Sequence, residues 1–138
     1  MDDALFRQIL DQVRAIGTVK SVILMLQNEP LLDRKFAARV RLARQLLDRR
    51  TRIVTVTNGS PLTEALIDEL AAGRIDHVAV SIDASREETF DRIRQGLNFQ
   101  RVVENTLSLA QRLGPRRVAV KFLRQRENEG EEIAFAGY

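Results

Sequence analysis

The sequence predicts an α/β protein, a parallel sheet of about four strands alternating with helices. Three observations carry that reading. Four short apolar runs, Val19–Leu26, Arg52–Thr57, Val78–Ile82 and Arg117–Leu123, alternate with segments of helical character. Such runs, rich in β-branched residues, belong to strands buried on both faces. Counted from Val19 through Arg52 and His77 to Arg117, the strand starts lie 33, 25 and 40 residues apart. That is the spacing of right-handed βαβ crossovers. Finally, the third run stops at Asp83, and Ser85-Arg86-Glu87-Glu88 then spells a capping box. A strand that gives way to a helix so quickly is half of a βαβ unit, and parallel sheets bind ligands at that joint.

The elements follow in order. Asp3 to Ile16 reads as an amphipathic helix with Leu5, Ile9, Val13 and Ile16 on one stripe and Gly17 as the stop. The first strand, Val19–Leu26, ends at Gln27-Asn28-Glu29-Pro30, where proline cannot continue a central strand. A second helix covers Asp33–Arg50, with Phe36, Val40, Ala43 and Leu47 inward and its arginines outward. After the strand Arg52–Thr57, Asn58-Gly59-Ser60-Pro61 signals a loop, and Thr63 caps a helix over Glu64–Ala72. Helices over Arg86–Gln95 and from an Asn98 cap to Leu113 precede the last strand. One domain thus spans 1–123. The charged tail 124–138 is expected to be loose or docked on a partner.

Composition narrows the function classes. With 44% apolar and 30% charged residues, the 138-residue chain is an ordinary globular protein. No apolar run approaches the ~20 residues that span a bilayer, and no signal peptide is evident, so the expected location is the cytoplasm and no membrane partner is expected. The net charge is +3, and Arg34, Arg39, Arg41, Arg44, Arg49 and Arg50 fall in one helix. Without aromatic interleaving, and with Asp33 and Asp48 flanking the run, this reads as a solvated face rather than a nucleic-acid footprint. Cysteine is absent, which removes disulfides, thiolate nucleophiles and iron–sulfur ligation from this chain.

In a parallel sheet the polar residues at the strand ends share one rim. Gln27, Asn28 and Glu29, then Asn58, then Ser81 and Asp83, then Lys121 and Arg124 offer carboxylates, amides, a hydroxyl and cations. Those are handles for an amine, a ribose diol and a carboxylate. His77, the single histidine, begins a strand at the opposite end and reads as structural. There is no HExxH, GxxxxGK[ST] or GxGxxG. A general acid–base pair of Glu29 with Asp83 has no support from spacing.

Read together, NEPLLD, TNG followed by LTEALIDEL, and VSIDA with ETFDRIRQG resemble the radical S-adenosylmethionine (radical SAM) superfamily, closest to its peptide-modifying maturase branch. The resemblance runs from about Val19 to Leu123. It implies a partial parallel (β/α) barrel with helices on the outer face, S-adenosylmethionine bound at a [4Fe–4S] cluster, and a 5′-deoxyadenosyl radical. By the same resemblance, Gln27-Asn28-Glu29-Pro30 stands at the GGEP motif that holds the methionine amino group, and Asn58 lies near the ligand. Ser81 and Asp83 match the strand end that meets the ribose, and Lys121 or Arg124 approaches the methionine carboxylate. Two features depart from the family. The CxxxCxxC cluster loop is missing, and Gln27 and Asn28 replace the two glycines.

The expected function is therefore that of a radical SAM-like domain fragment, inactive alone. The alternatives are a non-catalytic adenosyl-ligand module, or an interaction domain working through the arginine face. Strands Val19–Leu26 and Arg117–Leu123 are both candidates for uncovered apolar edges, which predicts a homodimer or domain swap.

Overall fold

The computed structural model describes residues 1–25 and 27–137. Helix α1 (Asp3–Ile16) leads into strand β1 (Ser21–Ile23), then α2 (Phe36–Leu46), β2 (Arg52–Thr57), α3 (Glu64–Ala72) and β3 (His77–Ser81). Helices α4 (Glu87–Ile93) and α5 (Phe99–Leu113), strand β4 (Val118–Lys121) and a short helix α6 (Glu132–Ala136) complete the order. The strands form one sheet in the order β1-β2-β3-β4, every neighbour parallel. The expected fold class is the observed one.

Register explains which side chains face which layer. Val22 opposes Ile53, Thr55 opposes Val78, and Val80 opposes Val120. Because side chains alternate along a strand, these residues share the helix-covered face. Ile53, Val78 and Val80 are fully buried there with Val40, Ile67, Leu70, Phe90, Val102 and Leu109 from the helices. The opposite, concave face carries Ile23, which is exposed, Val54, Val56 and Ala119, which are half-buried, and Ala79, which is buried.

Helix starts follow local chemistry. Asp2, Thr63 and Asn98 each accept from a backbone N–H of the first turn, which would otherwise lack a partner. Gly17 closes α1 in the left-handed conformation that glycine adopts without a Cβ clash.

Four expectations change. Strand β1 is shorter than Val19–Leu26, since Gln27-Asn28 already turn; Leu26 itself lies outside the described residues. Helix α1 buries Phe6 and Leu10, while Leu5, Ile9 and Ile16 are 46%, 37% and 62% exposed. The stripe was misplaced because α1 lies beside an edge strand, so only the side toward β1 and α2 finds partners. On α2, Arg39 and Arg44 are not solvated. Arg39 pairs with Asp33 at 2.6 Å and lies over the Phe6 ring, and Arg44 donates to the Thr51 carbonyl at 2.6 Å. Finally, the tail folds onto its own chain: Asn128 and Glu131 are buried, and Phe135 packs on Phe122. Tyr138, its last residue, lies outside the described residues.

Gly59 is the tightest point of this architecture. It has φ +76°, and a Cβ there would sit 2.9 Å from Val80 Cγ1 and 3.2 Å from Val102 Cγ1. Gly59→Ala combines backbone strain with a clash in the core, so a loss of roughly 1–3 kcal/mol is expected in urea unfolding. An unchanged midpoint would contradict this packing.

Candidate functional site

Parallel pairing brings the C-terminal ends of all four strands to one edge, so the predicted rim exists. Its two carboxylates, however, are engaged by their own chain. Glu29 follows the turn after β1 and caps the 3-10 turn at Pro30–Leu32 through the Leu31 N–H, which donates to Oε1 at 3.1 Å. The same oxygen accepts from Thr57 Oγ1 at 2.6 Å, and Oε2 accepts from the Asn58 N–H at 2.7 Å. Glu29 therefore ties the exit of β1 to the exit of β2. Asn58 Oδ1 accepts from the Ser60 N–H at 2.9 Å, an Asx turn that orders the loop, and Asn105 Nδ2 donates to the Gly59 carbonyl at 2.9 Å.

Asp83 makes the matching tie on the other half of the sheet. It is 3% exposed and turns the chain at φ +62°, in the left-handed region that Asp tolerates better than most residues. Oδ1 accepts from the Leu123 N–H at 2.7 Å, joining the exits of β3 and β4, and Oδ2 pairs with Arg94. Its carbonyl accepts from Asn128 Nδ2 at 2.8 Å. The strained turn is thus held from three directions.

Beside it, Glu131 of the tail enters the joint between β3 and α4. Oε2 accepts from the Ser85 N–H at 2.8 Å and the Ser85 hydroxyl at 2.9 Å; Oε1 accepts from Thr89 Oγ1 at 2.6 Å and Arg86 Nε at 3.2 Å. The expected capping box does not start this helix: α4 begins at Glu87 with Arg86 in the cap position and no side-chain cap bond, and the Ser85 hydroxyl serves Glu131 instead. Burial alone would raise the Glu131 pKa. The bonds from Thr89 and Ser85, with the Arg86 charge, outweigh it and hold the group at about 2 against an ordinary 4.5.

The remaining candidates are more open. Gln27 and Asn28 are exposed, Pro30 opens the 3-10 turn, Ser81 is half-buried, and Lys121, its register partner on β4, is exposed. Arg124 turns away to Glu129 and Glu132, each at 3.0 Å. Glu29 and Asn58 are brought into direct contact; Asp83 and Arg124 have separate partners. His77 lies at the other end of β3, its Nδ1 buried without a partner among the described residues. Sequence reasoning missed Arg94, Thr89, Asn105, Asn128 and Glu131. Only the last two lie in a stretch that could have drawn notice, a charged tail ending in apolar IAFAGY.

A sequentially ordered parallel sheet with helices on one face and polar groups gathered at the strand exits defines a partial β/α-barrel domain. The chain belongs to the radical SAM superfamily, whose family model matches residues 2–132. It is 32% identical over 88 residues to the AdoMet-dependent heme synthase of Methanosarcina barkeri (strain Fusaro / DSM 804), covering 64% of this chain and 24% of that protein. The crystal structure of BtrN in complex with AdoMet and 2-DOIA shares the fold, with TM-score 0.58 and 21% identity over 87% of this chain and 43% of that one. The chain thus spans about a quarter of one relative and under half of the other.

The family implies a [4Fe–4S] cluster and S-adenosylmethionine. The cluster does not fit these residues. The sequence has no cysteine, and no group of three His, Cys, Asp or Glu among the described residues is placed to hold a metal ion.

Two outcomes follow from these ties. Glu29→Ala leaves two N–H groups and a hydroxyl unpaired, so it should cost roughly 2–4 kcal/mol in denaturant unfolding; a loss below about 0.5 kcal/mol would remove Glu29 as a strut. For Glu131, a folded pKa below the unfolded one means its stabilisation is complete above 4.5 and drains away as pH falls toward about 2. Glu131→Gln should therefore be less stable than the parent at neutral pH, with the gap narrowing over that acid window. A gap independent of pH would contradict the bonding described.

Proposed function

We propose that these 138 residues are a radical SAM domain that neither assembles a [4Fe–4S] cluster nor cleaves S-adenosylmethionine by itself. The supporting observation is the donor set: the three thiolates required for the cluster have no counterpart in the chain. Reductive cleavage needs an electron from that cluster, and no other group here supplies one.

The state of the rim favours this reading over an adenosyl-ligand module. A ribose diol or an amine needs a carboxylate with free acceptor positions. The Glu29 oxygens take three donors of the roughly four a carboxylate accepts, and the Asp83 carboxylate, bound to the Leu123 N–H and Arg94, is buried away from a ligand. What remains is Ser81, Lys121, the amides of Gln27, Asn28 and Asn58, and whatever Arg124 can release from its two glutamates. These suit one carboxylate or phosphate better than a whole adenosyl ligand. The reading includes a cytoplasmic location, as expected from the lack of an apolar run of membrane-spanning length.

Anaerobic reconstitution with ferrous iron and sulfide tests it. The expected protein binds no stoichiometric iron, shows no thiolate-to-iron charge-transfer band, and yields no 5′-deoxyadenosine when given S-adenosylmethionine and dithionite. Formation of 5′-deoxyadenosine above a protein-free control would overturn the proposal. Calorimetry with S-adenosylmethionine separates the alternative, because saturable binding abolished by Lys121→Ala would show that the rim still takes the ligand.

A further inference from the structure

The sheet has two open edges and an open face, and all three carry apolar residues. In the ladder between β1 and β2, the Lys20 carbonyl and the Leu24 N–H point toward β2. By alternation, the N–H and C=O groups of Ser21 and Ile23 point to the open side. At the other edge the Lys121 carbonyl accepts from β3, so the polar groups of Val120 face outward. Ile23 is 56% exposed, Met25 40% and Val120 41%. A parallel sheet is ordinarily covered on both faces, whereas here right-handed crossovers put the connecting helices on one face, and the other carries exposed Ile23, half-buried Val54, Val56 and Ala119, and buried Ala79.

Helix α1 adds a directional clue. It runs back from the rim to the start of β1 and overhangs the edge, leaving Leu5, Ile9 and Ile16 without a strand beneath them. Between α1 and β1 lies a largely apolar groove of about 840 Å³ lined by Phe6, Ile9, Val13, Ile23 and Met25. In a βαβ unit such a helix covers the joint between its own strand and a preceding parallel one. The groove therefore calls for a parallel strand whose helix-facing side is apolar and exposed. β4 of this chain is such a strand, because Val120 points to the helix face at an open edge.

We propose that two copies close one eight-stranded barrel, β4 of each pairing in parallel with β1 of the other about a two-fold axis along the barrel. Four strands per copy is half the number at which side chains just fill a barrel interior. Closure places Val120 of one copy under the exposed face of α1 of the other and encloses both concave faces. It also sets the acidic end of α1, Asp2 and Asp3, level with the basic exit of β4 at Lys121. The competing dimer, β1 against β1, is antiparallel; it leaves β4 and the concave face open. The proposal is independent of the reading of the rim.

Absence of native cysteine makes the test clean. Ser21 on β1 and Ala119 on β4 both point to the concave side, and within one copy they stand three strand spacings apart and four residues out of register, roughly 14 Å across and roughly 13 Å along the strands. Chains carrying only Ser21→Cys and chains carrying only Ala119→Cys each hold one thiol, so every crosslink joins two copies. Sedimentation at micromolar concentration should show a species of twice 15.7 kDa. A short bismaleimide should crosslink the mixed variants several-fold more than either alone. Ile23→Lys and Val120→Lys should each yield a monomer of unchanged circular dichroism. A monomeric parent overturns the proposal, as does a Ser21→Cys chain that crosslinks to itself as well as the mixture does. A dimer that survives both lysine substitutions overturns it too.

Discussion

Parallel pairing of β2 with β3 is the constraint on which everything else in this molecule depends. It forces a helical crossover between successive strands, and it delivers every strand exit to one edge. It also leaves polar backbone at that edge, where the chain must turn from strand to helix within a few residues. Glu29 and Asp83 answer that demand in the same way. Each carboxylate receives a backbone N–H from the exit of a neighbouring strand, Asn58 in one case and Leu123 in the other. The rim is therefore laced across β1–β2 and across β3–β4 by the residue types that a ligand would have used.

This double use of carboxylates limits what a sequence can say. The fold was legible because it rests on period and spacing. β2, α3 and α5 fall on their expected residues, and the parallel order follows from crossover length. The rim was legible as a place, since strand exits in a parallel sheet must converge. The roles of its residues were not. A glutamate after a strand looks the same whether it awaits an amine or caps Leu31 and Asn58. The partners that decide the matter for Asp83, namely Arg94, Leu123 and Asn128, lie 11 to 45 residues away. No periodicity reports contacts of that kind.

The tail shows the same limit from the other side. A charged run with little apolar content usually lacks enough burial to order itself. Here the polar residues themselves provide the order. Asn128 bonds the carbonyls of Asp83 and Leu123, and Glu131 fills the Ser85–Thr89 joint, while Phe135 supplies one aromatic contact on Phe122. Charge-assisted bonds in a buried setting are stronger than neutral ones, so a few well-placed groups hold a segment that composition would class as loose.

A domain of this superfamily without cluster ligands raises the question of what keeps it folded. The core supplies the answer. Its fully buried residues, among them Ile53, Leu70, Val78, Val80, Phe90 and Leu109, come from β2, β3 and the helices behind them, and the rim is closed by internal hydrogen bonds. Neither layer needs a metal to satisfy it. Metal sites stabilise a fold when their ligands would otherwise be unpaired or unrestrained, and here the rim carboxylates Glu29 and Asp83 already have partners. What the core does not satisfy are the flanks, where Ile23, Met25, Val120 and the outer side of α1 meet water. The uncovered apolar surface of this structure therefore lies at its edges rather than at the strand exits.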